Sequence, residues 1–293
     1  DTNNGFFKNA DEVVDIADDK ITSFADLMTP EEAARYNEYW DNLGNLKSTT
    51  IADDLVDDVT KYADEVAEIV DDAVESGNDS ALVSKLTSAD VKAAIEKNGM
   101  SVEDFSKLLD PNRTLTPDEL KFVDRVRTDI GLPETGTVMN KIVPQSDIYN
   151  YLYNENYNGV RGFVSVDEHS NILKTLDDVF EGNRLDYDNT AFKIGNGVDG
   201  ISKSVGNADT VYGKITYVLD DATGIKIPKD LQIATNAPYT GRGFTGSKNV
   251  VLPELVQDTR PFVDGDILGI YDAKTGELTQ QFVYDSDLGW LLK

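Results

Sequence analysis

At Gly131-Leu132-Pro133 the hydrophobic rhythm of this chain changes, and that break constrains the fold more than any other feature of the sequence. Upstream, Ile51, Leu55, Val59, Tyr62, Val66, Ile69 and Val70 recur at helical spacing, which predicts one long amphipathic helix stopping near Gly77. Thr29-Pro30-Glu31-Glu32, Ser88-Ala89-Asp90, Ser101-Val102-Glu103-Asp104 and Thr116-Pro117-Asp118-Glu119 each set a capping hydroxyl ahead of acids, which are favoured at the positive end of a helix. The last of them predicts a helix to about Ile130. Downstream, Gly, Asn, Thr and Tyr rise. Short strands are expected at Gly162–Val166, Lys214–Leu219, Gly224–Ile227, Asp266–Tyr271 and Thr279–Tyr284. Asp220-Asp221-Ala222-Thr223-Gly224 and Asp272-Ala273-Lys274-Thr275-Gly276 read as hairpin turns. The expected class is α+β: an acidic helical lobe over 1–133, then a lobe over 134–293 with a small, mainly antiparallel sheet that carries the chemistry.

Charge limits the partners. Asp and Glu number 54 against 27 Lys and Arg, a net charge of -27, so nucleic acid is excluded as a ligand because its phosphates need Lys and Arg to neutralise them. A basic partner or a metal ion suits such a chain better. Cysteine is absent, which removes thiolate nucleophiles, Cys-ligated zinc and disulfides. No run approaches the roughly 20 apolar residues of a membrane span, and no signal peptide is visible. The chain opens at Asp1, which reads as an extracytoplasmic fragment whose delivery segment has been removed.

With one histidine, His169, in a segment that reads as an exposed turn after a strand, and with neither a His-Glu-x-x-His motif nor a P-loop, Asp and Glu dominate the catalytic inventory. Hard oxygen ligands favour calcium or magnesium over zinc. Asp167, Asp186, Asp188, Asp220 and Asp221 are the candidate metal ligands, and Asp186-Tyr187-Asp188 sets two carboxylates on one side of an extended segment. Asp220 and Asp221 equally suit a hairpin turn. Arg161 and Arg184 are either structural ion-pair partners or a phosphate clamp beside a metal. Pro238-Tyr239-Thr240-Gly241-Arg242-Gly243-Phe244-Thr245-Gly246-Ser247-Lys248-Asn249 is rich in glycine and hydroxyls, and it reads as an ordered loop able to cradle an anion on its backbone N–H groups.

Gly159-Val160-Arg161-Gly162-Phe163-Val164, Arg184-Leu185-Asp186-Tyr187 with Thr190, Ile227-Pro228, and the run from Thr240-Gly241 to Pro253-Glu254 resemble the C-terminal toxin domains exported by type VII secretion behind an LXG domain. Within that family the likeness is to calcium-dependent toxins that cleave lipid II, over roughly residues 140–293. The resemblance implies hydrolysis of the pyrophosphate linkage of the lipid-linked cell-wall precursor, which blocks cell-wall synthesis. It further implies secretion, action at the outer face of the target cell's cytoplasmic membrane, Ca²⁺ as cofactor and a cognate immunity protein. Carried over residue by residue, Asp167 and Asp220 are the expected indispensable carboxylates, Asp186 and Asp188 follow, and Arg161 or Arg184 neutralises the transferred phosphoryl group.

Two other classes compete. An NAD-consuming toxin, either an ADP-ribosyltransferase or an NAD glycohydrolase, would use Arg161, Thr245 or Ser247, and Glu254, although the usual Ser-Thr-Ser run is replaced by Phe244-Thr245-Gly246-Ser247. A non-enzymatic acidic binding module with structural calcium is the third.

Overall fold

The computed structural model describes residues 83–84, 86–195, 208–228 and 240–293, all within one compact unit, Glu65–Lys293. The helices expected from Thr29 and over residues 51–70 lie outside the described residues.

Local signals place three helices of the described residues, α1 (Ala89–Lys97), α2 (Val102–Leu108) and α3 (Pro117–Ile130). The Ser101 and Thr116 hydroxyls accept the backbone N–H groups of Asp104 and Glu119, and the Glu119 carboxylate accepts the Thr116 N–H at 2.8 Å, closing a reciprocal cap worth about 1 kcal/mol. α3 stops at Gly131, where φ is +77. Val91, Ile95, Phe105, Val123 and Val126 bury their helical faces together with Phe244 and Val251, which come from far beyond Pro133. The Phe105 and Phe244 rings meet edge-on at 5.3 Å. Arg127, 1% exposed, ties α3 to the same loop by donating to the Gly243 carbonyl at 3.0 Å and the Gly131 carbonyl at 2.6 Å. Helical residues before Pro133 and loop residues after it therefore share one core.

Beyond α3 the chain forms β1 (Val138–Val143), α4 (Gln145–Tyr153), β2 (Gly159–Val166), α5 (Asp167–Ser170), α6 (Leu176–Gly182), β3 (Val211–Val218), β4 (Ile225–Lys226), β5 (Leu255–Pro261), β6 (Ile267–Asp272), β7 (Leu278–Asp285) and β8 (Gly289–Leu292). The strands make one antiparallel sheet in the order β4-β5-β2-β1-β3-β6-β7-β8, so the α+β class holds. Met139, Val143, Ile215 and Leu268 on one face pack with Ile148 and Tyr151 of α4. The sheet curls around that core: the Phe262 ring, just past β5, lies 4.9 Å from Trp290 of β8, although five strands separate β5 from β8 in the order. On the other face, Leu176, Val179 and Phe180 of α6 gather with Tyr212, Val250 and Leu252.

The turn at Asp272–Gly276 joins β6 to β7 as expected, with the Gly276 N–H donating to the Asp272 carbonyl. The Asp220–Gly224 turn does not make a hairpin. β4 leaves β3 and pairs with β5 at the far edge of the sheet.

One irregularity positions everything that follows. β1 and β2 pair only at Met139–Val166 and Asn140–Ser165. From Lys141 onward β1 pairs with β3 alone, while Gly159 to Val164 of β2 pair with β5. A register shift between Val160 and Gly162, with Gly162 at φ +81, bends β2 at that point. The strands splay, and the sheet forks.

Candidate functional site

A cleft of about 290 Å³ occupies the fork. Residues 140–142 of β1 and 162–165 of β2 form two walls; residues 183–185, Tyr187, Phe192, Thr245 and 252–254 form the third. A concave, partly apolar pocket with a few convergent polar groups is the usual form of a small-molecule site.

Glu254 is the most unusual of those groups. Its N–H donates to the Gly243 carbonyl at 2.9 Å, and the next residue, Leu255, pairs with Val164. This register sets Glu254 beside Ser165, on the side of the sheet that carries Asn140. Among the described residues its carboxyl has no hydrogen-bond or ion-pair partner. Burial alone therefore acts on it, and pushes its pKa up to about 8, so that it is protonated at neutral pH. A carboxyl that titrates near the working pH inside a cleft is poised for acid–base or electrostatic catalysis.

Behind this wall runs a buried polar network. Asn140 Nδ2 donates to Asp167 at 2.9 Å, and the Ser165 and Ser170 hydroxyls lie 2.8 and 3.2 Å from Asn140 Oδ1. With each member satisfied, such a network fixes the orientation of the Asn140 and Ser165 side chains that face the cleft. Lys214 stands 4.0 Å from Asp167.

The third wall is held from α6. Glu181, 1% exposed, accepts the Ser247 hydroxyl at 2.7 Å and the Lys248 N–H at 2.6 Å, and the Thr245 hydroxyl donates to the Gly182 carbonyl. Arg184 ends α6 in the left-handed region, with φ at 50, and the Leu185 N–H returns to the Phe180 carbonyl. That turn aims its guanidinium at the Gly246 carbonyl, 2.7 Å away, and at both Asp186 oxygens, each at 2.9 Å. The described part of the glycine-rich loop, from Thr240, is thus ordered, as expected, and Phe244 is fully buried. Part of its donor set is already engaged: the N–H groups of Thr245, Lys248 and Val250 go to protein acceptors, and Arg242 donates to the carbonyls of Leu108 and Arg113.

The residues marked from sequence are dispersed. Arg184 lines the cleft, and Asp167 lies one hydrogen bond behind it through Asn140. Asp186 is spent on Arg184. Asp220, half-exposed past β3, pairs with Arg260 at 3.0 Å. Asp221 caps its own short turn through the Thr223 N–H and hydroxyl. Asp188 is exposed after the Arg184 turn, and Arg161 is exposed on β2. Among the described residues no group of three or more His, Cys, Asp or Glu side chains is placed to hold a metal ion. Four of the five candidate carboxylates already accept protein donors, with Asn140 on Asp167, Arg184 on Asp186, Arg260 on Asp220, and the Thr223 N–H and hydroxyl on Asp221, and they do not converge as calcium ligands do.

One reading of sequence is corrected here. His169 is not an exposed turn residue: it is 6% exposed on α5, with Nε2 2.8 Å from Asp90, whose carboxyl is held well below its usual range by His169 and Ser88 despite burial. Asn140, Ser165 and Lys141 went unmarked. The signal for Glu254 was present, as a single acid inside the apolar run Val250-Val251-Leu252-Pro253-Glu254-Leu255.

If Asp220 serves Arg260 rather than a metal, Asp220→Ala removes one half-exposed partner from a guanidinium that keeps Asp266. The expected loss is about 1 kcal/mol or less, measured by urea unfolding, with catalysis intact. Loss of activity with an unchanged unfolding curve would return Asp220 to the chemistry.

The chain matches no family model, no curated protein and no solved structure.

Proposed function

We propose that this chain is an enzyme that acts in the fork cleft through Glu254, and that its substrate is an N-glycoside of the NAD⁺ type, cleaved by hydrolysis or by transfer of the ribosyl group. The observation that carries this reading is the unpartnered, burial-neutralised carboxyl of Glu254 in the fork cleft. Such a group awaits a positive charge from outside. A pyridinium ring set beside it favours the carboxylate and releases a proton. As the glycosidic bond then breaks, positive charge moves onto the ribose, and a carboxylate fixed beside it in a partly desolvated cleft stabilises that charge. Phe163, Tyr187 and Phe192 line the same cleft and offer flat apolar surface to a ring. Thr245 lines it as well, but its hydroxyl is bound to the Gly182 carbonyl as that of Ser247 is to Glu181, so the reading rests on Glu254 and the aromatic walls and not on a free hydroxyl. Anionic lipid-linked pyrophosphate gives the neutral Glu254 no reason to ionise.

The calcium-dependent cleavage of lipid II implied by the toxin resemblance is the second reading, favoured by Arg184 at the cleft wall. One assay separates them. Purified protein is incubated with NAD⁺ and, separately, with lipid II in calcium or chelator, and the products are resolved by chromatography. Nicotinamide release without any need for calcium is expected. Calcium-dependent lipid II products with NAD⁺ left intact would overturn the proposal in favour of the second reading. Either activity suits a secreted toxin neutralised by an immunity protein.

A further inference from the structure

We propose that Lys141 and Arg161 form an anion-binding subsite at the fork, one that takes a phosphate or pyrophosphate group of the ligand held by Glu254. In a chain with twice as many acids as bases, neither side chain has a carboxylate within ion-pair distance among the described residues, whereas Arg184, Lys214 and Arg260 each reach one within 4.0 Å. Lys141 lines the cleft, where β1 parts from β2. Its ammonium lies against the bare backbone of Gly162: a Cβ built there would stand 4.0 Å from the Lys141 nitrogen. Arg161 is the neighbouring residue on β2 and is exposed.

The facing groups explain why the pair wants an anion. Burial, then the like charge of Arg161, bring the Lys141 amine down to about 8, and Asp147 of α4 opposes this only from beyond ion-pair range. Tyr151 of α4, pushed up to about 12 by burial, stays neutral. Two adjacent cations without a counter-ion are an unfavourable arrangement that a bound phosphate relieves, since guanidinium and ammonium groups bind it through charge-assisted hydrogen bonds. The fork then presents opposite preferences from its two sides: Glu254, on the side of Asn140, for a cation, and Lys141, on the α4 side with Arg161 next to the cleft lining, for an anion. A ligand that carries a pyridinium and a pyrophosphate matches both. The inference thus deepens the NAD⁺-type reading, but the subsite stands or falls separately.

The test is calorimetric titration of the full chain with inorganic pyrophosphate at pH 7.5. The wild type, Lys141→Met, Arg161→Met, the double variant and Glu254→Gln are compared, with melting curves on each. Binding to the wild type is expected, with affinity roughly tenfold weaker in each single variant and weaker again in the double. Glu254→Gln should bind as the wild type does, because the carboxyl is already neutral. Binding near pH 8 should take up protons as Lys141 recharges, visible as a heat that depends on the buffer. Equal affinity in the wild type and the double variant, or no binding to the wild type, would overturn the subsite. Arg161→Met, altered at an exposed position, keeps the test valid if Lys141→Met fails to fold. ADP-ribose and farnesyl pyrophosphate serve as parallel ligands: tighter ADP-ribose binding assigns the anion to a nucleotide, and the reverse overturns that source. Pyrophosphate binding that needs both cations, in a protein that leaves NAD⁺ intact, would preserve the subsite and refute the Glu254 reading.

Discussion

Glu254→Gln is expected to cost about a thousandfold in turnover while making the protein more stable at pH 8. Both effects have one cause. The amide keeps the shape and neutrality of the resting carboxyl but cannot become the carboxylate that the reaction needs. For stability, the sign follows from the raised pKa. Glu254 titrates at about 8 in the folded chain against 4.5 as its ordinary value, so the folded state holds its proton more tightly than the unfolded chain does. Its stabilising contribution is complete below about pH 4.5 and is lost as pH rises through about 8. At pH 8 the wild type must carry a half-buried charge without a partner, a penalty of a few kcal/mol that the glutamine lacks. Calorimetric melting at pH 5 and pH 8 checks this. The two proteins should melt alike at pH 5 and separate at pH 8, with the variant higher. Parallel profiles at both values would place an unseen partner against the carboxyl.

Arg260→Met is expected to have the largest effect on folding. Arg260 and Asp266 are both nearly fully buried, paired at 2.7 and 3.2 Å, and the guanidinium also lies 4.7 Å from the centre of the Tyr217 ring and donates to the Val218 carbonyl. The Asp266 N–H donates to the Val263 carbonyl, and its carboxylate accepts the Val263 N–H, so the group also shapes the turn from β5 to β6. Removing the cation leaves a buried carboxylate uncompensated, which costs about 3–5 kcal/mol and lowers the melting temperature by about 10 °C in a domain of this size. The double variant Arg260→Met with Asp266→Leu should regain most of the loss, because an apolar pair of similar volume has no charge to desolvate. Urea unfolding of the three proteins measures it. If the single and double variants are equally destabilised, packing on Tyr217 rather than charge pairing is what Arg260 supplies.

What the sequence made legible follows the range of each interaction. The start of α3 at Thr116 and the β6–β7 turn at Asp272 are fixed by contacts within a few residues, and both lie where their local chemistry puts them. The turn at Asp220–Gly224 has the same chemistry, yet β4 departs to pair with β5, because a turn motif sets direction and not the strand that receives the chain. β1 was missed because Asn140 and Lys141 interrupt any apolar alternation, and these two residues line the cleft at the fork. β5 reads as polar because Gln257 and Arg260 are buried by partners outside the strand, Tyr217 of β3 and Asp266 of the turn ahead of β6. His169 was misjudged for the same reason: the residue that covers it, Asp90, is 79 positions away. Spacing gave Asp186 and Asp188 a common side, but the left-handed turn at Arg184 swings a guanidinium onto Asp186. The burial of Glu254 is assembled from three walls distant in sequence.

The state of the Glu254 carboxyl is the point on which the account turns, and carbon-13 NMR of selectively labelled glutamate reads it directly. In the free protein the resonance assigned through Glu254→Gln should titrate with a midpoint near 8, and added NAD⁺ under conditions of slow turnover should move that midpoint down. A midpoint near 4.5, unchanged by NAD⁺, would show an ordinary solvated carboxylate and contradict the account.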